Sequence, residues 1–250
     1  MNYEMILKDK PLRVIDDVPV FIDKIEESEA GVNAYNPKSQ FLTKTARLLS
    51  PPQESLESNI DKKMKGLILN IGSSSKKAYS NTINLDIGPF DNVDIVADGK
   101  NLPFKDDVFD GILIESVLEH IDEPEIVIRE AYRVLKPNGK IYVSIPFVFV
   151  FHGSPNDYGR YTTNGLRRRL EIAGFKNVNS GIKCGPGSTM NQMLRYYLAL
   201  CFSFNNRFLF SVMLNVFGWL TFWLKYTDLF LNNHEQSYVM ANEIWAGGKK

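Results

Sequence analysis

Two groups of residues in this 250-residue chain have the types and spacing to do chemistry. The first sits at the ends of short apolar runs: Gly72 with Ser73, Ser74 and Ser75 after GLILNI, Asp86 closing TINLD, Asp98 with Gly99 after VDIVA, and Glu115 closing FDGILIE. Carboxylates accept hydrogen bonds from both hydroxyls of a ribose or from an exocyclic amine, whereas a phosphate would be repelled. The second group is His152, Asp157, Tyr158, Arg160 and Tyr161 in FHGSPNDYGRYT. A neutral imidazole takes a proton near pH 7, so His152 is the candidate general base, with Asp157, Tyr158 and Arg160 as its catalytic neighbours. The alternative for this segment is a structural lid in which Asp157 pairs with Arg160.

Hydrophobic patterning indicates the elements that must position these groups. GLILNI, TINLD, VDIVAD, FDGILIE and KIYVSIP are short apolar runs of the kind that form strands buried on both faces, and two more strands are expected near 176–183 and within SYVMANEIWAGGKK. DEPEIVIREAYRVLKPNG is predicted to be a helix with Asp122 as its cap, Pro124 in its first turn and Pro137-Asn138-Gly139 as its stop. TNGLRRRLEIAG is a second. The alternation predicts an α/β fold: a doubly wound, mostly parallel, seven-stranded sheet. Only nine residues, Ser73 to Asn81, connect the first two strands, too few for a full crossover helix, so the first helix is expected to be shortened. In such a sheet ligands bind beyond the carboxyl ends of the strands, which is where the first group of residues falls.

The turn at Gly72 has neither the GxxxxGK[ST] cradle nor the GxGxxG turn, so a pyrophosphate ligand, and with it a nicotinamide-dependent dehydrogenase, is disfavoured. A nucleoside without phosphates fits better. S-adenosylmethionine (SAM) is such a ligand, and its cationic sulfonium suits a rim of carboxylates and backbone carbonyls. LNIGSSS, NLDIG, VADGKNLPFKDDVFDGILIESVLEHIDEP and REAYRVLKPNGKIYVSIP together resemble the class I SAM-dependent methyltransferases of the type 11 group, over about residues 66 to 183. DGKNLPFKDDVFDGILIESVLEH is the most specific element. The resemblance implies a cofactor site in which Asn70, Gly72 and Ser73 form the turn, Asp86 holds the ribose, Asp98 with Gly99 faces the adenine amine, and Glu115 lies beside the methionine moiety. The chain departs from the family at Asn70, where an acid is usual, and at Ser74 and its neighbours, where further glycines are usual. SIPFVFVFHGSPNDYGRYTTNGLRRRLEIAGF is similar to a subgroup with a P-x-D-Y-x-R-Y-T segment, associated with bacterial surface-polysaccharide gene sets. That similarity implies methylation of a hydroxyl on a sugar, a lipid-linked glycan or another small molecule. The altered glycine loop keeps a non-catalytic SAM- or nucleoside-binding scaffold open as an alternative.

Composition limits the partners. Lys plus Arg (29) equal Asp plus Glu (29), so no overall field attracts a polyanion, and nucleic acid is not an expected partner. Two cysteines, Cys184 and Cys201, give no disulfide framework, and MNYEMILKDKPLR has no long apolar segment, so a cytoplasmic location is expected. Residues 1–60 read as an appendage and linker, 61–188 as the SAM-binding core, 189–233 as a hydrophobic helical insertion and 234–250 as the final strand and tail. LRVIDDVPVFID resembles the closing part of a zinc ribbon, but no cysteine precedes Cys184, so no metal site is expected there. In the insertion, MLRYYLALCFSF and RFLFSVMLNVFGWLTFWLKYTDLFLN form an expected helical hairpin. Its uncharged run, Phe208 to Leu224, is shorter than the roughly 20 residues that span a bilayer. Ser211, Asn215, Gly218 and Lys225 leave a narrow polar stripe, and Trp219, Trp223 and Tyr226 are types that favour a membrane interface. Two readings stay open: packing on the domain or a second subunit, and peripheral contact with the inner membrane face through 207–231, as a membrane-surface interaction protein would make. Glu119 and His120 read as caps of the helix beginning near Asp122, and Arg167 to Arg169 as a solvated helix face.

Overall fold

Short Ile-, Leu- and Val-rich runs bounded by turn residues build one sheet in the computed structural model, which describes residues 5–23, 64–74, 81–153 and 156–250. The expected linker helix before residue 60 and the shortened first helix lie outside the described residues. The strands are β1 (Arg13–Ile15), β2 (Val18–Val20), β3 (Ile68–Ile71), β4 (Thr82–Asp86), β5 (Ile95–Val96), β6 (Phe109–Glu115), β7 (Leu135–Pro146), β8 (Lys176–Cys184) and β9 (Glu243–Lys249). Their order across the sheet is β1-β2-β5-β4-β3-β6-β7-β9-β8. Strands β2 to β7 run parallel to one another, β1 is antiparallel to β2, and β9 is antiparallel to both β7 and β8.

The sheet therefore has nine strands, two more than expected. The extra pair is the N-terminal hairpin, closed by Asp16 (φ 48°) and Asp17 (φ 66°), a residue type that tolerates the two left-handed positions of a tight hairpin turn. Val20 of β2 pairs with Val96, so this segment extends the sheet edge beside β5.

Two helices cover one face. Helix α1 (Pro124–Val134) places Val127, Ala131 and Val134, and α2 (Thr163–Ile172) places Leu166 and Leu170, against Leu69, Ile71, Ile112, Ile114, Ile141 and Val143. Asp122 does not cap α1. Its carboxylate instead accepts from the Glu123 amide and from Lys100 Nζ, both at 3.0 Å. Thr162 does cap α2, its Oγ1 accepting from Gly165 N at 3.1 Å. Pro137-Asn138-Gly139 is not a loop after the helix but the irregular start of β7, where the pairing with β6 shifts register. Arg133 of α1 ties the LPF turn down: its guanidinium donates to the carbonyls of Leu102 and Phe104 and to Glu130 and Asp106, while Glu130 accepts from Leu102 N.

The opposite face carries Ile68, Leu113, Tyr142 and Trp245. By strand alternation the next residues on that face towards the carboxyl ends are polar: Asn70, Glu115, Ser144 and Lys183. Between β8 and β9 lie α3 (Pro186–Phe202), α4 (Arg207–Thr221), a 3₁₀ segment (Phe222–Thr227) and α5 (Asp228–Leu231). The continuous helical stretch Arg207–Leu231 has 25 residues and is apolar and long enough by composition to cross a membrane, although its uncharged part alone is not. Its far end is fastened to the protein: buried Asp228 accepts from Gly187 N (2.7 Å), Ser188 N (2.8 Å) and Ser188 Oγ (2.7 Å) at the start of α3.

Candidate active site

The chain leaves β3 through Gly72, whose φ of +71° lies in the left-handed region. A Cβ here would stand 2.3 Å from Val117 Cγ2, so the position needs glycine for its space as well as for its backbone. The Gly72 and Ser73 amides both donate to Leu85 O, which holds the turn over the end of β4. Ser74 follows with φ 49°, and its amide donates to Asp86 Oδ2 at 2.8 Å. The other oxygen of Asp86 accepts from Ile87 N (2.7 Å) and Gly88 N (3.3 Å). Asp86 thus closes β4 and anchors the serine turn together.

Asp98 ends the next strand connection, half-buried, its Oδ1 accepting from Lys100 N at 2.8 Å. Gly99 lies against Ile71, where an added Cβ would come within 3.2 Å of its Cγ2. Because Ile71 pairs with both Leu85 and Ile114, and Asp86 with Val96, the ends of β5, β4, β3 and β6 are level. Gly72, Asp86, Asp98 and Glu115 therefore line one edge. Asn70 is different: it is buried within the sheet, and its amide donates sideways to Asn84 Oδ1 at 3.2 Å. Glu115 accepts from Lys183 Nζ at 2.8 Å, and the same ammonium reaches Ser144 Oγ (3.2 Å) and Glu243 (3.4 Å). Burial works against the Lys183 charge, but Glu243 and Glu115 outweigh it and raise its pKa. Sequence reasoning missed Lys183, since nothing local in NVNSGIKC marks a partner 68 residues away.

Beyond β6 the backbone turns at Ser116 (φ 53°) into a short 3₁₀ turn, Leu118–His120. Glu119 and His120 do not cap α1. Glu119 is fully buried, and neither of its carboxylate oxygens has a hydrogen-bond partner among the described residues. Its Oε1 faces His152 Nε2 at 3.7 Å and His120 Nε2 at 3.8 Å, with the two imidazole rings edge-to-face at 4.9 Å. His152 comes from the segment after β7, which is pinned by Tyr158 N donating to Glu119 O (2.7 Å) and by the His152 amide donating to Asp157 Oδ2 (3.0 Å). Arg160 grips Asp157 through both guanidinium nitrogens, and chiefly for that reason the Asp157 carboxyl is held down to about 2. Of the four expected catalytic residues, His152 faces the cluster and Asp157 stands behind it. Arg160 is committed to Asp157, and the Tyr158 side chain is 58% exposed.

A family model described as a methyltransferase domain matches residues 73–143. A nine-stranded sheet of this order carries that match. Residues 73–143 match a methyltransferase domain, and the sheet that contains them has the class I SAM-dependent methyltransferase fold. Over 92% of the chain it shares its fold with a solved phosphoethanolamine N-methyltransferase 2 from Haemonchus contortus in complex with S-adenosyl-L-methionine (TM-score 0.52, 12% identity, 60% of that chain covered). A ubiquinone/menaquinone biosynthesis C-methyltransferase UbiE from Escherichia fergusonii is 44% identical over 125 residues, covering 38% of this chain and 50% of that one. A demethylmenaquinone methyltransferase from Streptomyces griseus is 46% identical over 46 residues, 18% of this chain and 20% of that one. The chain thus spans half or less of the length of these curated relatives. Asp86, Asp98 and Glu115 lie within the matched stretch and Gly72 just before it, and the Glu119–His120–His152 cluster is built from the segments that follow β6 and β7.

Proposed function

We propose that the protein is a SAM-dependent methyltransferase whose acceptor is a hydroxyl on a sugar, a lipid-linked glycan or another small molecule. One observation carries the reading: Asp86, Asp98, a left-handed glycine turn and Glu115 follow four adjacent strands, and buried Glu119 faces the partly exposed His152 beyond β6. In this reading Asp86 accepts from the ribose hydroxyls, Asp98 from the adenine amine, and the turn at Gly72 and Ser73 receives the methionine part through backbone groups. Asn70 supports the sheet beneath the turn rather than touching the cofactor, given its bond to Asn84. Bound there, SAM would supply an electrophilic methyl group and depart as neutral S-adenosylhomocysteine with the carbon–sulfur electron pair, while the acceptor oxygen would gain the new carbon–oxygen bond and give its proton to His152 beside Glu119.

The test is calorimetric titration with S-adenosylhomocysteine of the wild type, Asp86→Ala and Asp98→Ala. Micromolar binding that either substitution weakens tenfold or more, about 1.4 kcal/mol, supports the site. No binding by folded wild-type protein refutes it, and binding without turnover on any hydroxyl acceptor favours the non-catalytic scaffold. A lipid-linked acceptor and a location at the inner membrane face are supported by the surface of the inserted helices, where Phe208 (72%), Leu220 (62%) and Phe230 (65%) stand exposed near Trp219 and Trp223.

A further inference from the structure

Glu119 presents a physical problem. A fully buried carboxylate with no hydrogen-bond donor on either oxygen costs several kcal/mol if charged, unless a cation compensates it. The groups facing it are not donors by necessity. His120 Nδ1 lies 2.5 Å from Asn156 O, which accepts only if Nδ1 carries the proton, so the lone pair of a neutral His120 is on Nε2, the nitrogen 3.8 Å from Glu119. His152 Nδ1 faces Asp157 Oδ2 at 3.5 Å without a hydrogen bond, and its Nε2 lies 3.7 Å from Glu119. Asp157 is held in place by Arg160 and by the His152 backbone amide. One ligand atom from each of Glu119, His120 and His152 falls within 4.8 Å of the other two.

We propose that Glu119, His120 and His152 form a binding site for a divalent transition-metal ion, with zinc as the best match. Two imidazole nitrogens and one carboxylate are a borderline donor set that suits zinc, and three protein ligands leave a position open for water or an acceptor oxygen. Metal–ligand bonds of about 2.0–2.1 Å in a tetrahedral site put the donor atoms about 3.3 Å apart. The carboxylate-to-imidazole separations of 3.7 and 3.8 Å need only a small contraction, and the two imidazole nitrogens, within 4.8 Å of each other, must close further by rotation of the partly exposed His152 ring. Asn156 O supplies the second-layer hydrogen bond that orients a histidine ligand at His120, and Asp157 stands as a carboxylate 3.5 Å behind the His152 ring. The cation removes the Glu119 problem by neutralising it, and it turns the two histidines from proton acceptors into ligands. With the ion bound, His152 is a ligand and no longer takes the acceptor's proton, so this proposal replaces the proton-acceptor role given above to the Glu119–His152 pair, and ion binding is tested without methyl transfer.

The experiment is zinc titration of the full chain after treatment with a chelator, read by calorimetry and by metal content after dialysis, on the wild type, Glu119→Gln, His152→Ala and the control His234→Ala. The expected result is one equivalent bound by the wild type and by His234→Ala, and affinity at least tenfold weaker in Glu119→Gln and in His152→Ala. Circular dichroism and cooperative melting establish that each protein is folded, and if Glu119→Gln does not fold, the partly exposed His152 decides alone. Absence of binding by folded wild-type protein overturns the proposal, as does equal binding by His152→Ala and the wild type. Titration with S-adenosylhomocysteine on the same samples reads the cofactor edge separately, so loss of one site is distinguishable from loss of the other.

Discussion

Replacing Gly72 by alanine tests whether the turn after β3 is dictated by space, by backbone conformation or by neither. The Cβ would stand 2.3 Å from Val117 Cγ2 and 3.0 Å from Cγ1, so Val117 would have to retreat by about 1 Å to reach ordinary contact, at an overpacking cost of about 1–3 kcal/mol. Holding alanine at φ +71° adds about 1–2 kcal/mol. Together Gly72→Ala should lose about 2–5 kcal/mol, a fall in melting temperature of about 2–4 °C for each kcal/mol in a domain of this size. Val117→Ala alone should lose about 1 kcal/mol, since Val117 is only partly buried. The double variant removes the clash and keeps the backbone strain, so its loss should fall short of the sum of the two single losses by about 1–3 kcal/mol. Denaturant unfolding of the four proteins measures this. Additivity to within about 0.5 kcal/mol would refute the contact argument, and a Gly72→Ala variant as stable as the wild type would refute the conformational one too.

Two further outcomes follow from the fold. Burial opposes the charge on Glu130, yet the Arg133 fork and the Leu102 amide outweigh it and hold its carboxyl below the usual range. A depressed folded pKa means that the stabilisation is present above the unfolded value near 4.3 and is lost as pH falls through the folded one, so Glu130→Gln should cost about 1 kcal/mol at pH 7, as for a partly exposed charge-assisted pair, and progressively less towards pH 3; a gap that stays constant with pH would contradict it. Co-sedimentation with vesicles containing anionic lipid should be observed for the wild type and fall severalfold for Trp219→Ser plus Trp223→Ser, whereas equal recovery of both proteins would leave the exposed helices without a membrane role.

Much of the fold is legible in the sequence because strands buried on both faces leave uninterrupted apolar runs. TINLD and FDGILIE coincide with β4 and β6 residue for residue, and their terminal carboxylates fall at the sheet edge by position alone. The chemistry beyond that edge is less legible because it depends on chain crossings. Glu119 and His120 sit before a helix and look like caps, yet they meet His152, which arrives after β7, and the pairing of Glu115 with Lys183 depends on β8 crossing beside β9. The site's most local feature is also its most constrained. Ser74 stands where the family favours glycine and still adopts φ 49°, a conformation that costs a non-glycine residue about 1 kcal/mol, and its amide donates to Asp86 Oδ2. That carboxylate has about four lone-pair directions, and three are taken by the amides of Ser74, Ile87 and Gly88. A ribose that binds both oxygens of Asp86 must therefore share or displace one of these amides. Oδ1 already accepts from two amides and Oδ2 only from Ser74, so the contested bonds are those of Ile87 and Gly88, while a ribose hydroxyl and the strained serine share Oδ2 side by side and are coupled through a single side chain.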